Sequence, residues 1–289
     1  MHGIVLAGGR GSRLHPLTSA ISKQLLPVYN KPMIYYPIAT LMTAGVTDIS
    51  IITNPDEKSS FQRLLGDGSD LGIRFTYINQ PSPDGIAQAF TLASHAIQGK
   101  KVALILGDNI FHGSGLGRAL NLFKDVSGAQ IFAYKVSNAS DYGIVEFNKD
   151  GDVISIEEKP KLPKSDFAIP GLYFVDENVV EIASRVKPSK RGELEITSIL
   201  KEYLDSNRLQ VSVLPRGTAW LDTGTFESLH NASSYIKLIE ERQGSKVGCL
   251  EEIAFRQKLI TQVDLEKIAT TRYNGEYRDY LLRLLLELD

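Results

Sequence analysis

Gly8, Gly9 and Gly11 share one short stretch with Arg10 and Arg13, and Lys23 follows shortly after. The glycines bare the backbone and the three cations surround it. Unshielded N–H groups ringed by positive charge suit a polyphosphate. Four apolar residues, 4–7, precede the loop and read as a short buried strand. The pattern is not a dinucleotide fingerprint, because Leu14 stands where a third glycine belongs. Nor is it a Walker loop, because no Lys-Ser/Thr follows the glycines. The chemistry it points to is the handling of nucleotide phosphates.

Two aspartates supply a second signal. Asp108 ends the apolar run VALILGD, and Asp222 lies in AWLDTGT before a glycine turn. Each alone also reads as turn chemistry. At the ends of strands they can meet on one rim and hold a hard cation through oxygen ligands. Mg²⁺ fits, since it takes one or two carboxylates plus phosphate oxygens and keeps its waters. Glu158 and Lys159 form a third cluster, in EEKP. Pro160 predicts an extended backbone at Lys159, and an ammonium there can grip a phosphate as a point charge. Arg191, Glu193 and Glu195, in RGELEIT, read on their own as a solvated loop running into an acidic helix start. The five histidines show no metal-ligand spacing and no GxSxG is present, which argues against acyl transfer.

Composition narrows the class further. The chain has 289 residues, 43% hydrophobic and 23% charged, which is ordinary for a globular protein with a sizeable core. A net charge of −2 gives no field to attract a nucleic acid polymer, whereas a nucleotide needs only local cations. The lone Cys249 fits a reducing compartment, so a cytoplasmic location is expected, with the thiol as a small buried hydrophobe. Neither a signal peptide nor a membrane span is expected.

Strands and helices alternate through the first two-thirds. Strands are expected at 4–7, 48–53, 74–79, 102–106 and 129–135, with helices at 31–44, 58–65, 85–97 and 116–124. That alternation predicts an α/β fold with a doubly wound, mainly parallel, Rossmann-like sheet. Ligands in such sheets sit beyond the carboxyl ends of strands, so the glycine loop and Asp108 should share one rim. Residues 142–225 are more β-rich, with strands at 144–147, 153–157, 171–174 and 209–214 and a helix at 193–204. The turn Asn148-Lys149-Asp150-Gly151-Asp152 is a hairpin signal. Helices are expected at 227–242, 250–259, 264–269 and 276–288. The last is leucine-dense and should pack on the body of its own chain. The organisation predicted is a core over 1–226, with a nucleotide part to about 141 and a smaller β-rich part from about 142. A helical C-terminal segment, 227–289, follows.

The string from Gly3 to Pro27, with Arg13, Lys23 and Gln24 in place, resembles the signature of the sugar-phosphate nucleotidylyltransferases. LLGDGSDLG, QPSPDGIAQAF, LGDNIF, YGIVEF, EEKP, GLYF, RGELEIT, AWLDTGT and EEIAFRQ extend the resemblance over residues 6–257. QPSPDGIAQAF and RGELEIT are similar to the thymidylyl-transferring branch. The resemblance implies Mg²⁺-dependent transfer from dTTP to glucose-1-phosphate, giving dTDP-glucose and pyrophosphate on the way to dTDP-L-rhamnose. It implies that Leu6, Gly8, Gly9, Gly11, Arg13 and Gln24 hold the nucleotide, that Gln80 and Gly85 read thymine, and that Lys23 meets the phosphates at the reacting centre. By the same resemblance Asp108 and Asp222 bind Mg²⁺. Gly143, Glu158, Gly171 and Tyr173 meet the sugar, and Lys159 and Arg191 its phosphate. A homotetramer is implied, with a regulatory site for dTDP-rhamnose at Gly113, Arg216, Glu252, Ile253 and Arg256. Two departures stand out. Pro170 removes a backbone N–H before Gly171, and the 111–117 stretch lacks the tyrosine common there. Uridylyl transfer, another sugar specificity, or a non-catalytic nucleotide sensor remain as alternatives.

Overall fold

The structure is a computed structural model and describes residues 1–286. The first half of the chain builds a parallel sheet. β1 (His2–Ala7) lies between β4 (Asp48–Thr53) and β6 (Val102–Leu106), and β5 (Arg74–Asn79) adds outside β4. The crossover segments carry α1 (Tyr35–Thr43), α2 (Lys58–Leu65), and the pair α3 (Gln88–Leu92) and α4 (Ser94–Ile97). Successive residues of one strand enter opposite cores, as the pleat demands. Val5, Ile51 and Ile105 face one core, while Ile4, Ile52 and Leu104 face the other. A sheet buried on both faces needs such continuous apolar runs.

The chain leaves β1 for β4 and β5, then returns to β6 on the other side of β1. The carboxyl ends of β1 and β6 therefore flank a topological switch point, where α/β sheets bind ligands. The Gly107 N–H donates to the Leu6 carbonyl (2.9 Å), tying the two strand ends together. This places the Gly8 loop beside Asp108, as expected from the sequence.

Beyond β6 the sheet becomes mixed. β12 (Leu172–Val175) pairs antiparallel with β6 and with β8 (Ala129–Lys135), while β13 (Leu209–Val213) runs parallel to β8. β9 (Gly143–Phe147), β10 (Val153–Glu158) and β11 (Phe167–Ala168) complete the antiparallel side. α6 (Val179–Arg185) and α7 (Ile196–Asp205) cover one face together with α3. Two ribbons lie off the sheet. One is β2 (Pro27–Val28) with β3 (Lys31–Pro32), and the other is β7 (Asn109–His112) with β14 (Ala219–Asp222). α5 (Leu116–Asn121) follows β7. α8 (Phe226–Gln243) closes a third small core over Leu14, Met33 and Ile110. α9 (Leu250–Arg256), α10 (Gln262–Arg272) and α11 (Gly275–Leu286) pack on the α1 side.

Several expectations change. Residues 31–32 pair in the ribbon, so the first helix begins at Tyr35. Gly85 takes φ 123° and Ala93 interrupts the next helix, so 85–97 is a turn and two short helices. Glu193 and Glu195 precede α7, which starts at Ile196. Lys159 is not extended but left-handed at φ 41°. The chain bends immediately after β10, and proline's preference yields to that bend. In α11, Leu281 and Leu284 are buried in the chain's own core, and the expected end at 288 lies outside the described residues. No described helix is long and apolar enough to cross a membrane.

Candidate active site

The glycine loop leads into a single 3₁₀ turn, Ser12–Leu14, and not into an α-helix. Its backbone is shaped by close approaches. Gly11 is left-handed (φ 61°), and a Cβ there would lie 3.0 Å from the Lys23 Cβ. A Cβ on Gly8 would fall 1.9 Å from Gln80 Oε1, whereas one on Gly9 would meet nothing. The loop is thus folded back over the Lys23–Leu25 turn with Gly9 open to solvent.

Lys23 is buried, and its Nζ donates to Asp108 Oδ2 at 2.6 Å. Asn109 Nδ2 donates to Asp108 Oδ1 at 2.9 Å. Burial alone would raise the Asp108 carboxyl, yet the Lys23 charge and these hydrogen bonds hold it below the usual carboxylate range. Asp222 behaves oppositely. Burial and the neighbouring Asp108 charge push it up, against the pull of Lys23 and Arg13. The two aspartates come together because β14 pairs with β7, with Asp222 opposite Asn109. Asp222 is therefore delivered by the small ribbon and not by the main sheet. Arg13 reaches the same place, since a Cβ on Gly224 would lie 3.0 Å from Asp222 Oδ1 and 3.1 Å from Arg13 Nη2.

The two carboxylates and Arg13 line one cleft of about 370 Å³ with Gly143, Glu158, Lys159, Gly171 and Tyr173. Burial and the nearby Glu195 raise the Glu158 carboxyl, against Thr197, Lys159 and Arg191. Arg191 does not line the cleft directly. It bridges Glu158 (3.6 Å), Glu193 (3.0 Å) and Glu195 (3.4 Å) at its edge. Tyr173 is buried below, and burial followed by the Glu158 and Asp108 charges raises its phenol. The Gly171 N–H donates to Asn109 Oδ1 at 3.1 Å. A Cβ there would stand 2.5 Å from Leu106, so only glycine fits.

Three neighbours escaped the sequence reading. Asn109 is 3% exposed, and its Oδ1 also accepts from Trp220 Nε1 at 2.7 Å. Trp220, the only tryptophan, lines the cleft and packs edge-on against Tyr142 and Tyr134. Thr223 is fully buried and donates from Oγ1 to the Asp108 carbonyl at 2.8 Å. Asn directly after the aspartate, and a lone Trp two residues before the other, were the available signals.

Gln24, Gln80 and Gly85 do not line this cleft. Gln24 Oε1 accepts from Ser22 (2.8 Å), and its Cγ packs at Gly107. Gly85 presses on Leu194, since a Cβ would lie 2.4 Å from the Leu194 carbonyl oxygen. Gly113 and Ile253 line a separate cavity with His112 and Lys246, at the other end of β7 from Asp108. Glu252 and Arg256 are paired on α9 at 2.7 Å, and Arg216 is exposed and outside that lining.

The donor set fits a hard cation. Asp108 and Asp222 share the cleft with four further carboxylates, and no sulfur or imidazole is among its lining residues. Among the described residues no group of three or more His, Cys, Asp or Glu could hold a metal by itself. Asp108 and Asp222 are the residues that would hold such an ion.

A family model described as nucleotidyl transferase matches residues 2–238. The chain is 55% identical over 285 residues to a glucose-1-phosphate thymidylyltransferase of Mycolicibacterium smegmatis, covering 99% of each. It is 52% identical over 286 residues to the one of Neisseria meningitidis, again with 99% of each covered. Among solved structures, a Bacillus anthracis protein in complex with sucrose superposes with a TM-score of 0.75 at 38% identity. That match covers 81% of this chain and 94% of the other. A UDP-glucose pyrophosphorylase complexed with UDP-glucose shares the fold, with a TM-score of 0.72 at 24% identity over 82% of this chain and 98% of its own. With a glycine-rich basic loop and paired carboxylates on one sheet rim, and relatives matched end to end, the chain belongs to the nucleotidyl transferase family.

Proposed function

We propose that the protein transfers a thymidylyl group from dTTP to glucose-1-phosphate, releasing pyrophosphate and forming dTDP-glucose. The observation that carries this reading is the single cleft joining Asp108, Asp222 and Arg13 to Gly143, Glu158 and Lys159. It is supported by near-complete coverage of relatives bearing that activity in their names. A sugar phosphate is mostly dianionic at neutral pH, with a second pKa of about 6. Its oxygen can attack the α-phosphorus in line with no general base, which accords with a cleft lined by no histidine. The protein's task is to hold two polyanions together and offset charge that builds in the transition state. Arg13 and Lys23 act on the nucleotide phosphates, and Lys159 on the sugar phosphate. Glu158, Gly143 and Gly171 orient the sugar, and Asp108 and Asp222 would hold Mg²⁺. When bound, Mg²⁺ supplies charge neutralisation on the phosphate oxygens. Pyrophosphate release from dTTP and glucose-1-phosphate tests the reading directly, and no turnover with this pair would remove it.

Lys159→Ala should raise KM for glucose-1-phosphate more than tenfold with little change for dTTP. A charge-assisted bond to phosphate is worth about 1.5–3 kcal/mol. Unchanged kcat and KM would make Lys159 a solvated surface charge.

We infer further that the chain works as a homotetramer inhibited by dTDP-rhamnose at the cavity of Gly113 and Ile253. Lys246, in that lining and 3.5 Å from Glu240, puts a cation beside the cavity. Leu286, 75% exposed beside Leu282 and Leu285, supports a contact surface on α11. Inhibition should be non-competitive with dTTP and weakened by Arg256→Ala. Purely competitive inhibition insensitive to that change would remove the site, and a monomer in sedimentation at micromolar concentration would remove the assembly.

A further inference from the structure

We propose that Gln88 and Asp84 fix which end of the Gln80 amide faces the nucleobase, making Gln88 a positioning residue for base specificity. The proposal rests on the thymidylyl transfer proposed above. Gln80 is 2% exposed, and its backbone N–H is anchored to the Thr53 carbonyl at 2.8 Å. Its Oε1 lies directly on Gly8, while its Nε2 donates to Gln88 Oε1 at 2.7 Å. Gln88 Nε2 in turn donates to Asp84 Oδ2 at 2.8 Å, and the Asp84 N–H donates to Gln88 Oε1 at 3.3 Å.

An amide is nearly symmetric in shape, so an isolated Gln80 could turn either end to a ligand. An ionised carboxylate only accepts and a backbone N–H only donates. Asp84 presents both to Gln88, and together they fix its orientation. Gln88 then offers only an acceptor to Gln80, which must turn its NH₂ inward and its oxygen to the glycine loop. The anchor is firm, because the Leu194 N–H donates to the Asp84 carbonyl at 2.6 Å and Ala87 N–H to the Leu194 carbonyl at 3.0 Å.

The consequence is a polarity filter. Thymine and uracil present an N3–H donor to that oxygen. Cytosine presents a bare N3, and its exocyclic group is a donor where thymine has an acceptor. A buried acceptor facing an acceptor is left unpaired, the kind of mismatch that discriminates strongly. The filter is indifferent to the methyl group that separates thymine from uracil.

The test compares kcat/KM and calorimetric Kd for dTTP and dCTP, with glucose-1-phosphate as acceptor in the kinetic arm. Gln88→Met should lower the dTTP-to-dCTP preference at least about tenfold, the size of one hydrogen bond, mainly through KM and Kd. Asp84→Asn, an exposed isosteric change, should lower it less. Asp84→Asn combined with Gln88→Glu should restore it, because the introduced carboxylate again only accepts from Gln80. A wild-type preference kept by both single variants, each folded by circular dichroism, would overturn the relay alone. If Gln88→Met fails to fold, Asp84→Asn and the double variant decide the matter. Equal use of both nucleotides by the unmodified protein would instead remove the thymidylyl reading.

Discussion

Asp108→Asn is expected to lower kcat about 100- to 1000-fold at saturating Mg²⁺, the scale of removing one pre-positioned electrostatic group from a closed site. The substitution keeps the shape and removes the charge. Lys23 loses its 2.6 Å partner but keeps the Asp222 carboxylate nearby, so the fold should survive. Asp222 would gain the most. Burial would still raise its carboxyl, but with the Asp108 charge gone the added repulsion disappears, and it would ionise more readily. Loss of turnover with an unchanged thermal melt would therefore locate the defect in charge placement. Pyrophosphate release within a few-fold of the unmodified protein would sink the metal assignment for both aspartates.

The two aspartates illustrate what the sequence reveals and what it conceals. Their residue type and apolar context were legible, because a carboxylate after a buried strand is a local pattern. Their meeting depends on the β7–β14 ribbon, whose four-residue strands pair with each other across more than one hundred residues. Nothing in NIFH or AWLD announces that partner. By contrast, β4, β5, β6, β8 and α2 have the ends expected, since an apolar run bounded by turn residues encodes its own limits. The 31–44 segment misled because its apolar texture continues through two prolines, and Pro32 reads equally well as a first-turn residue or an edge-ribbon residue. QPSPDG and RGELEIT were both visible as motifs. Their contact through Gly85 and Leu194 was not, because it rests on a glycine at φ 123° and on backbone hydrogen bonds that carry no side-chain signature. Gln88 was hidden for a different reason, because the orientation of a side-chain amide leaves no mark on the residue pattern.

Glu240→Gln should cost about 3–5 kcal/mol of stability, the usual penalty for stranding one member of a buried ion pair. Lys31 is 2% exposed, and its Nζ lies 2.6 Å from Glu240 Oε1. Glu240 also accepts from Asn30 Nδ2 (2.8 Å) and the Val247 N–H (2.9 Å), with Lys246 at 3.5 Å. The cluster fastens the β2–β3 ribbon to the end of α8. Gln24, next to Lys23, is tied to the same segment through the Ile34 N–H at 2.9 Å. Burial wins at Lys31 and lowers its pKa. At Glu240 burial alone would raise the carboxyl, but the Lys31 charge and the surrounding donors hold it down. The folded carboxyl thus titrates below the unfolded one. Its contribution is complete above the ordinary glutamate value of about 4.3 and is lost as pH falls through the depressed folded value. The stability gap between the unmodified protein and Glu240→Gln, read by urea unfolding, should therefore narrow in acid. Lys31→Met with Glu240→Leu should recover part of the loss, because the Lys31 charge is then gone while Lys246 and the Asn30 and Val247 donors still lose their acceptor. A single variant within about 1 kcal/mol of the unmodified protein at neutral pH would place the pair among ion contacts of surface strength.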